Sequence, residues 1–538
     1  MGRDIAMIRW LALLVFMISV PSWAATYYIA ASGSDSNNGT AKGTPWLHAP
    51  GMPACSNTCG GKTPAAGDSF IFRGGDTWHF GNSSAAPYVG GTCPNPTTNF
   101  TTCWEIGNSG TSGNIIYWGV DQTWFAGGAW ARPIFTGDNA TSSSSVVSCT
   151  YDFKRTKLVS IDADYVTLDN VEFTGLCWSG NQSTANEDIC CAGYMNFNSS
   201  APSSSAGHST VSNIYVHGWT HRQQGCSLTG GEPTGDCDGA YGISGANGAG
   251  NINANNRITG LVCDGTDTDE QSFDCTLWDV VFQLDSSYLG YAVQGAIAGN
   301  CHLWYNDIFE HINFSFDGIS HTNTFECQSE YPGANYFHDL VFRNSSSGSL
   351  MWVCPNAADW YWNIVSYSNG TQPWDIDASC GGSGGSGIYD SVFADEGSPG
   401  ATGSYIATNL LLINSGLLGT PTQTSVISMT DAQATAAGFT SGGSYAYQPQ
   451  SANCNGHSSP TCPVGNGTNL TSSWPGGFTT NDSTYACTYN TSNHTMTCPA
   501  RSSLSRPSAG AWDVGAYQFT SLISGSSRVG GVWVGVLQ

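Results

Sequence analysis

Apolar residues alternate with polar ones over short runs, and Gly, Asn, Asp and Ser break each run before a helical period can develop. That pattern predicts many short strands and almost no helix. Aligning the runs exposes a repeat: "LDNVEFTG" from Leu168, "VSNIYVHG" from Val211, "LWDVVFQ" from Leu277, "YNDIFEH" from Tyr305, "FHDLVFRN" from Phe337, "YWNIVSYS" from Tyr361, "YDSVFAD" from Tyr389 and "ATNLLLIN" from Ala407. Most place an Asx residue after a hydrophobic one and follow it with an alternating strand. From Val280 the equivalent aliphatics are Ile308, Leu340, Ile364, Val392 and Leu410, at steps of 28, 32, 24, 28 and 18 residues. A solenoid coil of three short strands needs that spacing. An antiparallel sandwich would also give short strands, but not the same Asx before the same aliphatic at coil spacing.

Within a unit, the residue after the Asx and the one two later, such as Ile214 and Val216 or Leu340 and Phe342, should point inward. The Asx residues Asn170, Asn213, Asp279, Asp307, Asp339, Asn363 and Asn409 should form a ladder at a tight corner, where short polar side chains satisfy turn backbone. These units resemble the repeats of right-handed parallel β-helix proteins, the architecture of pectate lyases and related polysaccharide lyases and hydrolases. The segments "TYYIAASGSDSNNGTAKGTPW" with "AAGDSFIFRGGDTW", and "RPSAGAWDVGAYQF" (Arg506 to Phe519), are similar to those that open and close many secreted members. The resemblance implies an all-β, right-handed parallel β-helix. Its expected organisation is an N-terminal cap with the first coils over 25–135, a central helix over 136–420, a loop-rich, disulfide-stapled segment over 421–520 and a tail over 521–538. Lyases, hydrolases, epimerases and non-catalytic adhesins share this scaffold, so the fold does not choose the chemistry.

Composition narrows the partners. Arg3 and Arg9, the apolar run Trp10 to Val20 and "PSWAA" read as a signal peptide over 1–24, since eleven apolar residues fall short of the roughly 20 that span a bilayer. No later segment is long and apolar enough to span, so a secreted, soluble protein is expected, acting as a monomer. All twenty cysteines lie beyond the cleavage site, which favours disulfides. Close pairs such as Cys55 with Cys59, Cys93 with Cys103, Cys226 with Cys237, Cys263 with Cys275, Cys454 with Cys462 and Cys487 with Cys498 would staple single loops. The adjacent Cys190 and Cys191 should reach separate partners, with Cys149 and Cys177 as candidates; Cys301 is a candidate for Cys327. A net charge of −24 with four lysines repels polyanions and argues against nucleic acid. A strongly anionic glycan would need a bound cation or a local arginine.

Three places could carry chemistry on an extracellular polysaccharide. The window from Cys301 to His338 holds four of the eleven histidines; there Asp317, His321 and Glu326 could exchange protons, and His311 should face opposite to an inward Ile308 on its strand. In "QPWDIDAS", Asp375 and Asp377 at i and i+2 would lie about 7 Å apart on one strand face, suited to an acid/base pair, to substrate or to Ca²⁺. Arg343 sits one coil after His311 as a candidate base, and Trp352 is a candidate sugar platform. β-Helix lyases commonly use Lys or Arg to remove the proton beside a uronate, yet no lysine follows Lys157, and no polygalacturonase motif is present. The reading is a polysaccharide lyase or glycoside hydrolase, with a non-catalytic glycan-binding or adhesin-like protein as the alternative.

Overall fold

The computed structural model describes residues 24–91, 93, 101–139, 149–153, 156–180, 192–197, 207–218, 220–223, 240–245, 256–265, 277–278, 282–291, 296–298, 301–312, 324–327, 334–346, 351–353, 359–370, 374–376, 385–401, 403–442, 445–457, 462–484, 488–497, 503–519, 528–529 and 532–533. Among them the only α-helices are the short Asn57–Gly60 and Asp431–Ala436. The rest of the regular structure is strand.

Those strands wind as coils of a parallel β-helix. A first sheet of thirteen strands runs from Thr26–Ile29 to Thr422–Thr424, and a second of twelve runs from Thr77–His79 to Ile427–Met429. The third face is two five-stranded sheets, one from Thr101–Ile106 to Leu277–Trp278 and one from Ala296–Ala298 to Pro399–Ala401. A representative coil takes Ala296–Ala298 on the third face, Cys301–Tyr305 on the first and Ile308–Glu310 on the second. It then stacks on the next coil in parallel register, Ala296 on Phe325, Trp304 on Phe337 and Phe309 on Phe342. Parallel pairing leaves both faces of each strand to be covered or wetted, so alternation decides which residues fill the interior.

The interior is built from like residues stacked on like. Leu168, Val211, Ile258, Leu284, Trp304, Phe337 and Tyr361 occupy one register position of the first sheet, each fully buried. Phe309 stacks on Phe342 with centroids 4.8 Å apart, and Phe337 on Tyr361 at 4.9 Å. Ile214, Val216, Leu340 and Phe342 point inward as their alternation predicts.

The corner between the first and second sheets is an Asx ladder in the left-handed region, with φ between 54° and 61° at Asn170, Asn213, Asn306, Asp339, Asn363 and Asn409. Asn and Asp accept that conformation more readily than other side chains, because a short polar group bonds locally. Rungs of the ladder are joined: Asn363 Nδ2 donates to Asp339 Oδ1 at 3.2 Å, and Asn409 Nδ2 to Asp390 Oδ1 at 2.8 Å. Two expectations shift by one residue here. Where two Asx residues are adjacent, the first takes the corner, so Asn306 turns, Asp307 is buried inside, and Ile308 faces outward on the second sheet. Asp390 likewise turns and sends Val392 outward. Asp279 lies outside the described residues, and the strand Phe282–Asp285 ends at a corner formed by Ser286, at φ 56°.

Outward aliphatics are not wasted. Val262, Ile308, Val341, Val365, Val392, Leu411 and Ile427 line the outer side of the second sheet and form a second apolar cluster with Ala434, Phe439, Tyr447, Val514 and Tyr517 of the C-terminal segment. That segment folds back over the coils. Arg506, 2% exposed, anchors it: its guanidinium donates to Asn363 Oδ1 at 2.9 Å and lies 3.5 Å from Asp390. Gly515, at φ 99°, donates its N–H to Asn409 O at 2.8 Å, and a Cβ there would press on Val392 and Leu411. Disulfides join Cys55 to Cys59, Cys93 to Cys103 and Cys454 to Cys462. Cys149 and Cys177 pair with each other, not with Cys190 and Cys191, because the strand from Cys177 brings them to a Cα separation of 5.5 Å.

Candidate functional site

The structure distributes the residues singled out from sequence over two faces. Asp317, His321 and Asp377 lie outside the described residues. Glu326, Trp352 and Asp375 fall on successive strands of the third face, Phe325–Cys327, Met351–Val353 and Trp374–Ile376, and share one register position: Glu326 pairs with Trp352 and Trp352 with Asp375. Residues scattered over about fifty positions of sequence thus become one column of three rungs.

Arg343 and His311 belong to the second sheet and its far corner. Arg343 is in register with Glu310, and its Nε donates to Glu310 Oε2, while Tyr288 OH donates to Oε1 at 2.6 Å. His311 does not sit on a strand facing away from Ile308. The strand Ile308–Glu310 ends before it, and at φ 55° it turns the corner, its ring stacked on Tyr291 at 4.4 Å. Among the described residues, no group of three or more His, Cys, Asp or Glu is placed to hold a metal ion.

A different constellation stands out on the outer side of the first sheet. The residue just before each corner points outward there, and in successive rungs it is Asp285, Tyr305, His338, Trp362 and Tyr389. Their rings stack along the helix: Tyr305 to His338 at 5.1 Å and 11°, then His338 to Trp362 at 4.4 Å and 8°. In the neighbouring outward column, Tyr336 and Trp360 are half-buried, and Trp360 stacks on Tyr389 at 4.7 Å. Gly387, next in that column, must lack a side chain, since a Cβ would come within 2.2 Å of the Tyr389 hydroxyl.

His338 is the group with chemistry to offer. Its Nδ1 lies 2.6 Å from Asp339 Oδ2, and an ionised carboxylate only accepts, so Nδ1 carries the proton and donates. Among the described residues Nε2 has no hydrogen-bond partner, and the side chain keeps 16% exposure. Asp339 is held in turn: Oδ1 accepts from Asn363 Nδ2 at 3.2 Å and from the Thr484 N–H at 2.8 Å. The imidazole is therefore fixed in one tautomer and one plane, which leaves Nε2 as the nitrogen that could exchange a proton. It lines a cavity of about 140 Å³, walled on one side by Asn306, Asp339, Trp362 and Asn363 and on the other by Phe478, Thr479, Asn481, Asp482, Thr484 and Ser503.

One coil earlier, a charged cluster continues the face. Asp285 accepts from Arg257 Nη2, from Ser286 Oγ at 2.7 Å and from Asn306 Nδ2 at 3.3 Å. Arg257 also reaches Tyr305 OH at 3.1 Å. Burial, reinforced by the Asp285 charge, pushes the Tyr305 phenol up to about 12, so it stays a neutral hydroxyl at working pH.

In the sequence His338 stands only as one histidine of the window, and Asp339 as one rung of the corner ladder. The signal that would have found the site is the residue before each corner Asx, read down the repeats: "YND", "FHD", "YWN", "IYD".

No family model matches the chain, and no curated protein matches it. Among solved structures it is similar to pectate lyase Pel9A, at 14% identity over 92% of this chain and 96% of that one, with a TM-score of 0.39. It is also similar to the GH136 lacto-N-biosidase from Eubacterium ramulus, at 10% identity over 76% of this chain and 68% of that one, with a TM-score of 0.37. A rhamnogalacturonan lyase follows at 12% identity, 76% and 87% coverage and a TM-score of 0.34. The activities in those names belong to those proteins.

Proposed function

We propose that this is an exported β-helix enzyme that cleaves an extracellular polysaccharide laid along the outer side of the first sheet. The observation that carries the reading is the Asp339–His338 pair: a planar, tautomer-locked imidazole that lines a cavity, has no partner for its second nitrogen among the described residues, and is flanked by aromatic rings. Proton exchange through such a nitrogen is what breaking a glycosidic bond requires, and half-buried Tyr336 and Trp360 suit the apolar faces of sugar rings.

The test is a glycan-panel digestion by the purified full-length protein, followed by reducing ends and by the ultraviolet absorbance of unsaturated products. His338→Ala should lower cleavage about 10²- to 10⁴-fold, the usual contribution of one positioned acid/base, with an unchanged melting profile. Asp339→Asn should lose less and shift the pH profile, since it disturbs only the tautomer. If His338→Ala cleaves as well as the wild type while Glu326→Gln or Asp375→Asn is inactive, the site is the third-face column instead.

A further inference from the structure

We infer that the glycan taken at the His338 cavity is neutral, and that the protein cleaves it by hydrolysis; this rests on reading that face as the glycan site. Elimination requires a uronate in the substrate, because the sugar carboxylate acidifies the neighbouring proton, and that carboxylate must be met by a positive charge. The arginines in ion pairs are held by this chain's own carboxylates, and buried Arg132 donates to the backbone carbonyls of Asn213, Asn493 and His494. On the first sheet Arg257 donates to Asp285 and Arg73 to Asp76; elsewhere Arg343 donates to Glu310, and Arg506 lies buried beside Asp390. Asp285 and Asp339 sit on the same face, and the chain carries −24 overall, so a polymer with one negative charge per sugar approaches against the field.

Apart from carboxylates, the cavity offers uncharged groups. Phe478 and Trp474 of the C-terminal segment meet Trp362 edge-on at 5.2 and 5.5 Å, and Phe478 lies 4.6 Å from Tyr336, so the segment adds an aromatic wall to the aromatic floor. Asn306, Asn481 and Thr479 supply amide and hydroxyl groups to the same cavity, the kind of donor and acceptor that sugar hydroxyls match. For a neutral sugar the balanced reaction is addition of water. Water oxygen forms the new bond to the anomeric carbon, the bond from that carbon to the leaving oxygen breaks with its electron pair, and the hydrogens of water end one on each new hydroxyl. His338 Nε2 is placed to carry one of those protons.

The experiment is digestion and gel-retardation with two sets of polymers, neutral β-glucan, xylan, arabinan and galactan, and anionic polygalacturonate and alginate, each with and without CaCl₂. The expected result is reducing ends without ultraviolet-absorbing products from at least one neutral polymer, lost in His338→Ala, with retardation by that polymer weakened about tenfold in Trp360→Ala. Unsaturated products from a polyuronate, with or without Ca²⁺, would overturn the inference while leaving the polysaccharide reading intact. If the folded wild type neither cleaved nor was retarded by any polymer, both would fall. If it were retarded by neutral polymers alone and cleaved none, hydrolysis would be overturned and neutral recognition kept.

Discussion

The outer sides of the first and second sheets are built from the same repeat and meet opposite fates. On the second, outward positions are aliphatic from Val262 through Ile427, and the C-terminal segment buries them. On the first, the same rungs present Arg257, Tyr305, Tyr336, His338 and Trp360, left half-buried, while Trp362 and Tyr389 are covered by Trp474 and Phe478. Both sides pair in parallel with the same corner geometry, so backbone does not distinguish them. Side-chain chemistry does: apolar area removed from water yields about 25 cal/mol per Å², which holds the returning segment on the aliphatic side. Flat, partly polar rings gain less from being sealed and can instead contact a ligand. The segment nevertheless reaches around the corner, where Phe478 and Thr484 complete the cavity beside His338.

Removing the anchor between the two sides should have the largest effect. Arg506→Ala leaves Asp390 buried without its cation and should cost about 3–5 kcal/mol, detected in urea unfolding and as early proteolysis of the C-terminal segment. An unchanged midpoint would mean that the segment is held by apolar contact alone. Next, Leu411→Ala on the sealed side should cost about 2–5 kcal/mol, whereas Trp360→Ala on the open side should cost clearly less while weakening glycan retention. Equal stability losses would erase the distinction between the sides.

A pH series probes the interior between them. Glu396, 2% exposed, accepts at Oε1 from Ser366 Oγ and Asn369 Nδ2, while Oε2 has no partner among the described residues; burial raises its carboxyl to about 8 from the ordinary 4.5. A raised carboxyl binds its proton more tightly folded than unfolded. Its contribution is therefore complete below about pH 4.5 and is lost as pH rises towards 8, at a slope of at most about 1.4 kcal/mol per pH unit. Glu396→Gln should flatten that part of the stability profile relative to wild type; an unaltered slope would sink the assignment. The smallest effect is expected at the surface pair Lys42–Asp121, where both side chains are more than a third exposed: Lys42→Ala should stay within about 0.5 kcal/mol.

Much of the fold was readable because its cause is local. A left-handed corner selects Asn or Asp, and inward positions select large apolar residues, so Asn170, Asn213, Asp339, Asn363 and Asn409 and their following aliphatics could be aligned without coordinates. The shifts at Asp307 and Val392 arose where two Asx residues, or Asp and Ser, are adjacent and either could turn; which one does depends on the rungs above and below. The candidate site was less legible for the same reason. Glu326, Trp352 and Asp375 belong to three separate stretches of sequence, and their shared column is a fact of register. His338 and Asp339 are neighbours in sequence, but only the stacked rings and Thr484, arriving from 145 residues away, show that the pair is locked.

The sequence by itself determined the solenoid, its corners, its interior and the acidity that disfavours polyanions, because period, turn residues and charge are properties of the chain read in order. Tertiary structure decided how much of each outer side the C-terminal segment covers, and that His338, held by Asp339, lines a cavity. Those outcomes depend on where a distant segment lands, and its landing is set by the summed apolar surface of many coils, which no short stretch of the chain contains.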